Sequence, residues 1–376
     1  MLPFIDLKYQ YSLIRDEIHA GIDRVLESGH YILGAEIAEL EKQLAEYAGV
    51  KHALACSSGT DALLMALMAL GIGPGDAVFT TPFTFFATVE TIALVGATPV
   101  FADIDEATYN IDPAKLEEAI LKVEREGKLK PKAVIPVDLF GLTADYKAIK
   151  PLADAHGLAI IEDACQAFGA VDPSGKRAPS LGTIGCTSFF PSKNLGCYED
   201  GGAIFTNDDD LAARMRAIAN HGMVVRYHHD MIGVNSRLDS IQAAVLDAKL
   251  PHLDEYIAAR QRAAAYYDEA FGGNDKILIP GHEAHSTHVY HQYTLRVVGA
   301  DRDKLREGLA ERGIPAMIYY PVPLHQQKAY LDPRYKDGDF PVAEKLAACV
   351  LSLPMHTELD DEQLASITTS VLELIG

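Results

Sequence analysis

Lys193 is the only charged residue between Thr183 and Tyr198, in the segment TIGCTSFFPSKNLGCY. An ammonium among apolar and small residues loses hydration, which favours the neutral amine, the form that attacks a carbonyl carbon. The ordinary alternative is a surface lysine on a loop. Ser188 supplies a hydroxyl five residues earlier, and Gly201-Gly202 opens a strand-like AIFT just after. A second group is SSGTDAL, Ser57–Leu63, at a strand-to-helix turn. Gly59 lets backbone approach a ligand, Thr60 adds a hydroxyl, and the first-turn N–H groups are donors for an anion. Simple capping by Ser57 or Thr60 explains the same residues equally well.

IIEDACQAFG, Ile160–Gly169, ends a buried strand with two neighbouring carboxylates. Glu162 and Asp163 face opposite sides of that strand, so one points toward the crevice where open α/β sheets bind ligands. A carboxylate there can hold a pyridinium nitrogen protonated; a capping or ion-pair role is the alternative. In GVNSRLDSIQAAVL, Gly233–Leu246, Asn235 and Arg237 precede a helix, where they can cap it, pair with acids or grip phosphate. GIGPGD at Gly71–Asp76 imitates a dinucleotide fingerprint but follows a helix and ends in Asp, so it is read as a helix stop and turn. His228 and His229 are adjacent and would diverge on an extended segment, and no other pair lies at metal spacing, so no metal is expected.

Apolar strands alternating with helices must position these groups. HALAC, AVFTTP, PVFADI, AVIPVDLF, LAIIEDA and GAIFTN read as strands. Between them lie helices from TDALLMALMAL, Thr84–Val95, Tyr146–His156 and Leu211–Asn220. Strands this apolar are buried on both faces, which implies a mostly parallel sheet under helical layers. Leu13–Ser28 reads as a helix closed by Gly29, and Arg237–Phe271 as a long helical connector interrupted at Pro251. From Ile277 the order is strand, helix, strand, helix (YTLRVV, Asp303–Arg312, AMIYY, Ala343–Val350), with Glu362–Leu374 as a last helix.

The totals exclude several classes. A net charge of −20 over 376 residues leaves no basic excess for nucleic acid. The longest apolar run, Ala62–Leu70, is too short for a bilayer, so no membrane association is expected. Five cysteines without a C-x-x-C pair suit free thiols in a reducing cytoplasm.

Taken in this order, SSGTDAL, PFTFFAT, EDACQAFG, SFFPSKNLG, DGGAIFTND and NSRLD resemble the pyridoxal-phosphate sugar aminotransferases of the DegT/DnrJ/StrS family. The resemblance runs from FIDLK at Phe4 to SLPMH at Ser352–His356. It implies an α/β fold of the aspartate-aminotransferase type (fold type I for this cofactor). In that fold a large domain, residues 1–248, holds a mostly parallel sheet between helices, and residues 249–376 form a smaller C-terminal α+β domain. It also implies that Lys193 carries pyridoxal 5′-phosphate, Asp163 pairs with the pyridine nitrogen, Gln166 contacts the ring's 3′ oxygen, and Phe85 stacks on the ring. Gly59, Thr60 and Ser188 would hold the phosphate. Asn235 would reach that phosphate from a neighbouring subunit, making a homodimer the working unit. The partners implied are glutamate with 2-oxoglutarate and a nucleotide-linked keto sugar. Relatives that dehydrate sugars carry histidine in place of the lysine, and Lys193 argues against them.

SFFPSKNLGCYEDGGAIFTND and RYHHDMIGVNSRLD are most similar to the enzymes that aminate C3 of UDP-2-acetamido-2-deoxy-3-oxo-glucuronate. There Arg237 matches an arginine near the substrate carboxylate, while Tyr319-Tyr320 stand where those relatives usually carry His-Tyr. A neutral 3-keto or 4-keto UDP- or dTDP-hexose is the alternative substrate, and a catalytically silent regulator the alternative role. Relative to compact members, about a dozen extra residues around KVEREGKLKPK, Lys122–Lys132, are expected to form a solvated loop.

Overall fold

A computed structural model describes residues 2–376. Seven strands build the main sheet: β1 (His52–Cys56), β2 (Asp76–Thr80), β3 (Thr98–Phe101), β4 (Lys130–Val134), β5 (Ala159–Asp163), β6 (Ile184–Ser188) and β7 (Gly202–Thr206). Their order is β1-β7-β6-β5-β4-β2-β3. Only β7 runs against its neighbours, and the remaining adjacent pairs are parallel. The sheet is mostly parallel, as the apolar strands imply.

Alternate residues of each strand feed opposite cores. Leu54, Val78, Ile161 and Ile204 pack with the helix Gly59–Ala69 and with Asp209–Ala219 on one face. On the other face Ala77, Phe79, Val134 and Ile160 pack with Pro113–Glu126 and Tyr146–His156, and Ala53, Ala203 and Phe205 with Ala35–Ala48 and Ser240–Lys249. This register decides between the two carboxylates of β5. Glu162 shares the face of Ile160, and Asp163 shares the face of Ile161 and of the Gly59–Ala69 helix.

Several expectations need correction. Thr84–Val95 is helical only over Ala87–Leu94, because Phe83 turns into the core and its N–H donates to Thr81 Oγ1 at 3.1 Å. Leu13–Ser28 divides into Leu7–Leu13 and Arg15–Ser28, with a break at Ile14. Lys122–Lys132 is not a loop. Its first half ends the Pro113–Glu126 helix, Gly127 caps that helix at φ +62°, and Lys130 begins β4. Leu116, Ile120 and Val123 bury one stripe of the helix, so the charge run is its solvent face.

The helix Ala35–Ala48 and strand β6 lie outside the segments read from the sequence, although Ile37, Leu40 and Leu44 carry helical spacing. The helical connector resolves into Ser240–Lys249, a 3₁₀ turn at Leu250–His252 and Leu253–Phe271, the break falling at Pro251. Downstream, Ile277–Leu278, Tyr293–Val297 and Val350–Leu353 form an antiparallel sheet. AMIYY is not one of its strands: only Met317 bridges to Ser352. Val350 belongs to the last strand rather than to the preceding helix, Pro341–Cys349. The final helix, Asp361–Ile375, starts at an Asp360/Gln363 capping box. No helix among the described residues is long and apolar enough to cross a membrane.

Candidate active site

The segments that follow the C-terminal ends of β1, β2, β4, β5 and β6 converge on a cavity of about 470 Å³. This is where open α/β sheets bind ligands. Gly59, Thr60, Phe85, Asp163, Gln166, Ser188, Lys193, Tyr319 and Tyr320 all line it. Asn235 and Arg237 do not.

Lys193 is accessible from the cavity but otherwise surrounded by protein. Desolvation lowers its pKa, against the opposing influence of Cys165 and Asp163. Its loop is pinned from several sides. The N–H of Lys193 donates to Phe190 O at 2.8 Å, Asn194 Nδ2 donates to Val289 O at 2.9 Å, and the buried Lys249 Nζ donates to Gly196 O at 2.7 Å. The amine that the sequence singled out is therefore held in place and biased toward its neutral, nucleophilic form.

At the opposite wall Ser58 caps the Gly59–Ala69 helix by accepting from Asp61 N at 3.1 Å. The first-turn N–H groups of Gly59 and Thr60 have no intrahelical acceptor and suit an anion. Glycine is required at 59 by close approach: a Cβ would lie 2.7 Å from Ser188 Cβ and 2.9 Å from Cys165 Sγ. Its smallness thus packs the turn against the end of β6 and brings the Ser188 hydroxyl to the same corner.

Asp163 is 5% exposed and Glu162 fully buried, and their surroundings differ. Asp163 accepts from Thr88 Oγ1 at 3.0 Å and from Cys165 N at 3.3 Å. Glu162 turns away from the cavity and accepts from Leu181 N at 2.5 Å and Gly182 N at 2.9 Å. Burial pushes Glu162 up to about 7, opposed by those two N–H donors and by a hydrogen bond with Asp138. Asp138 is itself raised, first by burial and then by Glu162. Burial favours the protonated form of both carboxyls, and neither lines the cavity.

Gln166 accepts from Phe140 N at 2.7 Å and donates through Nε2 to Tyr320 Oη at 3.1 Å. Tyr320 Oη accepts that bond and keeps its own O–H to donate, so both tyrosines on the cavity wall can meet a substrate. Phe85 is 58% exposed at the cavity wall, 6.2 Å from the Tyr320 ring, with one face available for stacking. His291 and Gln292, absent from the sequence reading, also line the cavity. His291 is held neutral, chiefly by burial and then by Lys193 and Arg260. The YHQY segment alternates with the strand that follows and carries no spacing that would have marked it.

Asn235 is exposed and Arg237 half-buried, on either side of a fully buried Ser236. Ser236 Oγ lies 3.0 Å from Ser57 Oγ, and Arg237 Nη1 donates to Asn220 Oδ1 at 2.9 Å. Within one chain neither Asn235 nor Arg237 reaches the cavity.

The family model for DegT/DnrJ/EryC1/StrS aminotransferases matches residues 12–372. The chain belongs to this family. Among its relatives, a Pseudomonas aeruginosa protein named UDP-2-acetamido-2-deoxy-3-oxo-D-glucuronate aminotransferase is 50% identical over 371 residues, 99% of each chain. An Acidithiobacillus ferrooxidans protein named UDP-N-acetyl-3-dehydro-alpha-D-glucosamine 3-aminotransferase is 46% identical over 98% of this chain and 97% of its own. The solved structure of S. venezuelae DesV in complex with a ketimine intermediate superposes with a TM-score of 0.94 at 41% identity, covering 99% and 98% of the two chains.

The chain is thus a pyridoxal-phosphate-dependent sugar aminotransferase of fold type I. Its cavity suits that cofactor: an amine for the aldehyde, a helix N-terminus with Ser188 for the phosphate, Phe85 for a ring face, and a carboxylate for the ring nitrogen. Bound there, the cofactor supplies an electron sink for a carbanion at the substrate carbon. With the cofactor bound, Lys193 would be placed to move a proton on and off that carbon, Asp163 to hold the ring nitrogen protonated, and Gln166 to orient the ring.

Proposed function

We propose that the chain transfers the amino group of glutamate to C3 of UDP-2-acetamido-2-deoxy-3-oxo-glucuronate, as a cytoplasmic homodimer that feeds surface-polysaccharide synthesis. The observation that carries the sugar is the 50% identity, end to end, with the Pseudomonas protein of that name. A second reading, the uncharged UDP-linked 3-keto-N-acetylglucosamine, is favoured by one feature of the site. No arginine lines the cavity within a single chain, and burial keeps His291 neutral. A uronate carboxylate would have to find its cation elsewhere.

Arg237 is our candidate, acting from the neighbouring subunit beside Asn235. A planar guanidinium can hold a carboxylate by two parallel hydrogen bonds. Tyr319, on the cavity wall, would add a hydroxyl donor. The test compares UDP-2-acetamido-3-keto-glucuronate with its uncharged 3-keto-glucosamine counterpart on wild type and Arg237→Leu. Wild type is expected to prefer the acid. The preference should fall in the variant by about 1.5–3 kcal/mol, the contribution of a charged hydrogen bond. Equal use of both sugars by wild type would remove the uronate and leave the aminotransferase.

Sharing of sites between subunits has its own test. Lys193→Ala and Asn235→Ala homodimers should each be impaired, and exchange of subunits between them should restore part of the activity, because some mixed sites combine intact Lys193 with intact Asn235. An active monomer in sedimentation velocity would contradict the shared site.

A further inference from the structure

Asp163 is tied to the protein through both carboxylate oxygens. Thr88 Oγ1 lies 3.0 Å from Oδ2, and Cys165 N lies 3.3 Å from Oδ1. Thr88 is in turn 3.3 Å from Thr84 Oγ1, and the two threonines are only 1% and 2% exposed. A hydroxyl has one proton to give, and a carboxylate only accepts. Thr88 must therefore direct its proton at Asp163, so Thr84 must be the donor to Thr88. The result is a one-way chain of hydroxyls that starts in PFTFFAT, after β2, and ends on the last residue of β5.

The terminal torsion of an aspartate is broad and roughly two-fold, so its carboxylate plane is poorly fixed by the backbone alone. Two donors from different segments, one to each oxygen, remove that freedom. Each oxygen accepts more than one hydrogen bond, so an acceptor site remains for a ring nitrogen. The same short segment that carries Phe85 thus also aims the carboxylate. We infer that Thr88 is a positioning residue for the reaction: its hydroxyl, oriented by Thr84, sets the plane in which Asp163 meets the cofactor. The inference rests on the assignment of Asp163 to the pyridine nitrogen.

Thr88→Val keeps the volume and removes the donor, whereas Thr88→Ser keeps the donor and removes a methyl. The dissociation constant of pyridoxal phosphate by equilibrium dialysis, the pH dependence of the bound cofactor's visible band, and kcat and KM for glutamate would be measured, with a melting temperature for each protein. Thr88→Val is expected to weaken cofactor binding or kcat by about 10- to 100-fold, the range of a hydrogen bond to a charged group. Its visible-band transition should be displaced from that of wild type, and KM for glutamate should be unchanged. Thr88→Ser should stay within about threefold of wild type, and Thr84→Val should fall between the two. On an Asp163→Asn background, Thr88→Val should add less than about twofold, because the residue it acts through is already disabled.

A serine variant as poor as the valine variant would mean that Thr88 serves packing, and the inference falls. It falls equally if Thr88→Val costs its full factor on the Asp163→Asn background, or if it leaves both binding and kcat at wild-type values. Should Thr88→Val be too unstable to isolate, the serine and Thr84→Val proteins decide by the same comparison. If Asp163→Asn alone matched wild type, the assignment of Asp163 would fail, a different outcome from failure at Thr88.

Discussion

Lys193→Ala is expected to take up pyridoxal phosphate without a covalent link and to lose transamination by several orders of magnitude. One group would have two tasks here: its amine would anchor the cofactor and, once released, would move the proton at the substrate carbon. General acid–base transfer alone is worth about 10²–10⁴-fold, and loss of the attachment compounds it. The structure explains why this lysine suits both tasks. Burial lowers its pKa, so a larger fraction is neutral near pH 7 than for an exposed lysine. The wild-type rate of the glutamate half-reaction should accordingly fall as pH drops and the freed amine becomes protonated. Two measurements check the variant: release of 2-oxoglutarate, and mass spectrometry after borohydride reduction, which should label residue 193 in wild type only. Near-normal turnover in Lys193→Ala would overturn the assignment.

The groups legible in the sequence were those whose setting is local. Lys193 stands out because nothing charged surrounds it in the chain, and SSGTDAL because a strand, a glycine and a helix follow one another. The inward face of β5 was half legible. Adjacent carboxylates must diverge, but only the register of Ile160 and Ile161 with their respective cores says which one enters the cavity. Contacts made across elements left no trace in the sequence. Thr88 meets Asp163 over 75 residues, Gln166 meets Tyr320 over 154, and His291 arrives from a segment with no chemical signature. Tyr320 illustrates the limit: its place on the cavity wall and the bond it accepts from Gln166 both depend on contacts far apart in the chain. Lys122–Lys132 misled for the opposite reason, since a dense charge run describes an exposed helix face as well as it describes a loop. Asn235 and Arg237 can be read as site residues only if a second copy of the chain completes the cavity.

Asp163→Asn and Glu162→Gln, neighbours on one strand, should behave as different kinds of mutation. An asparagine cannot balance a positive ring nitrogen, so the electron sink weakens and kcat should fall by at least about 100-fold. Glu162→Gln should stay within about tenfold of wild type. A glutamine oxygen can accept from the N–H groups of Leu181 and Gly182, as Glu162 does. Its effect belongs to stability instead. The folded protein holds Glu162 protonated up to about 7, chiefly through burial, whereas the unfolded chain releases that proton near the ordinary value of 4.5. Between those values the native state binds more protons than the unfolded state, so this group makes stability decline as pH rises. Glu162→Gln removes that contribution. Its denaturant-unfolding free energy, measured at intervals from pH 4.5 to 7, should decline less steeply than that of wild type. Asp163→Asn should leave the slope due to Glu162 in place. Equal losses of activity in the two variants would mean that the inward carboxylate has been misassigned. A slope unchanged by Glu162→Gln would mean that Glu162 does not hold its proton across this range.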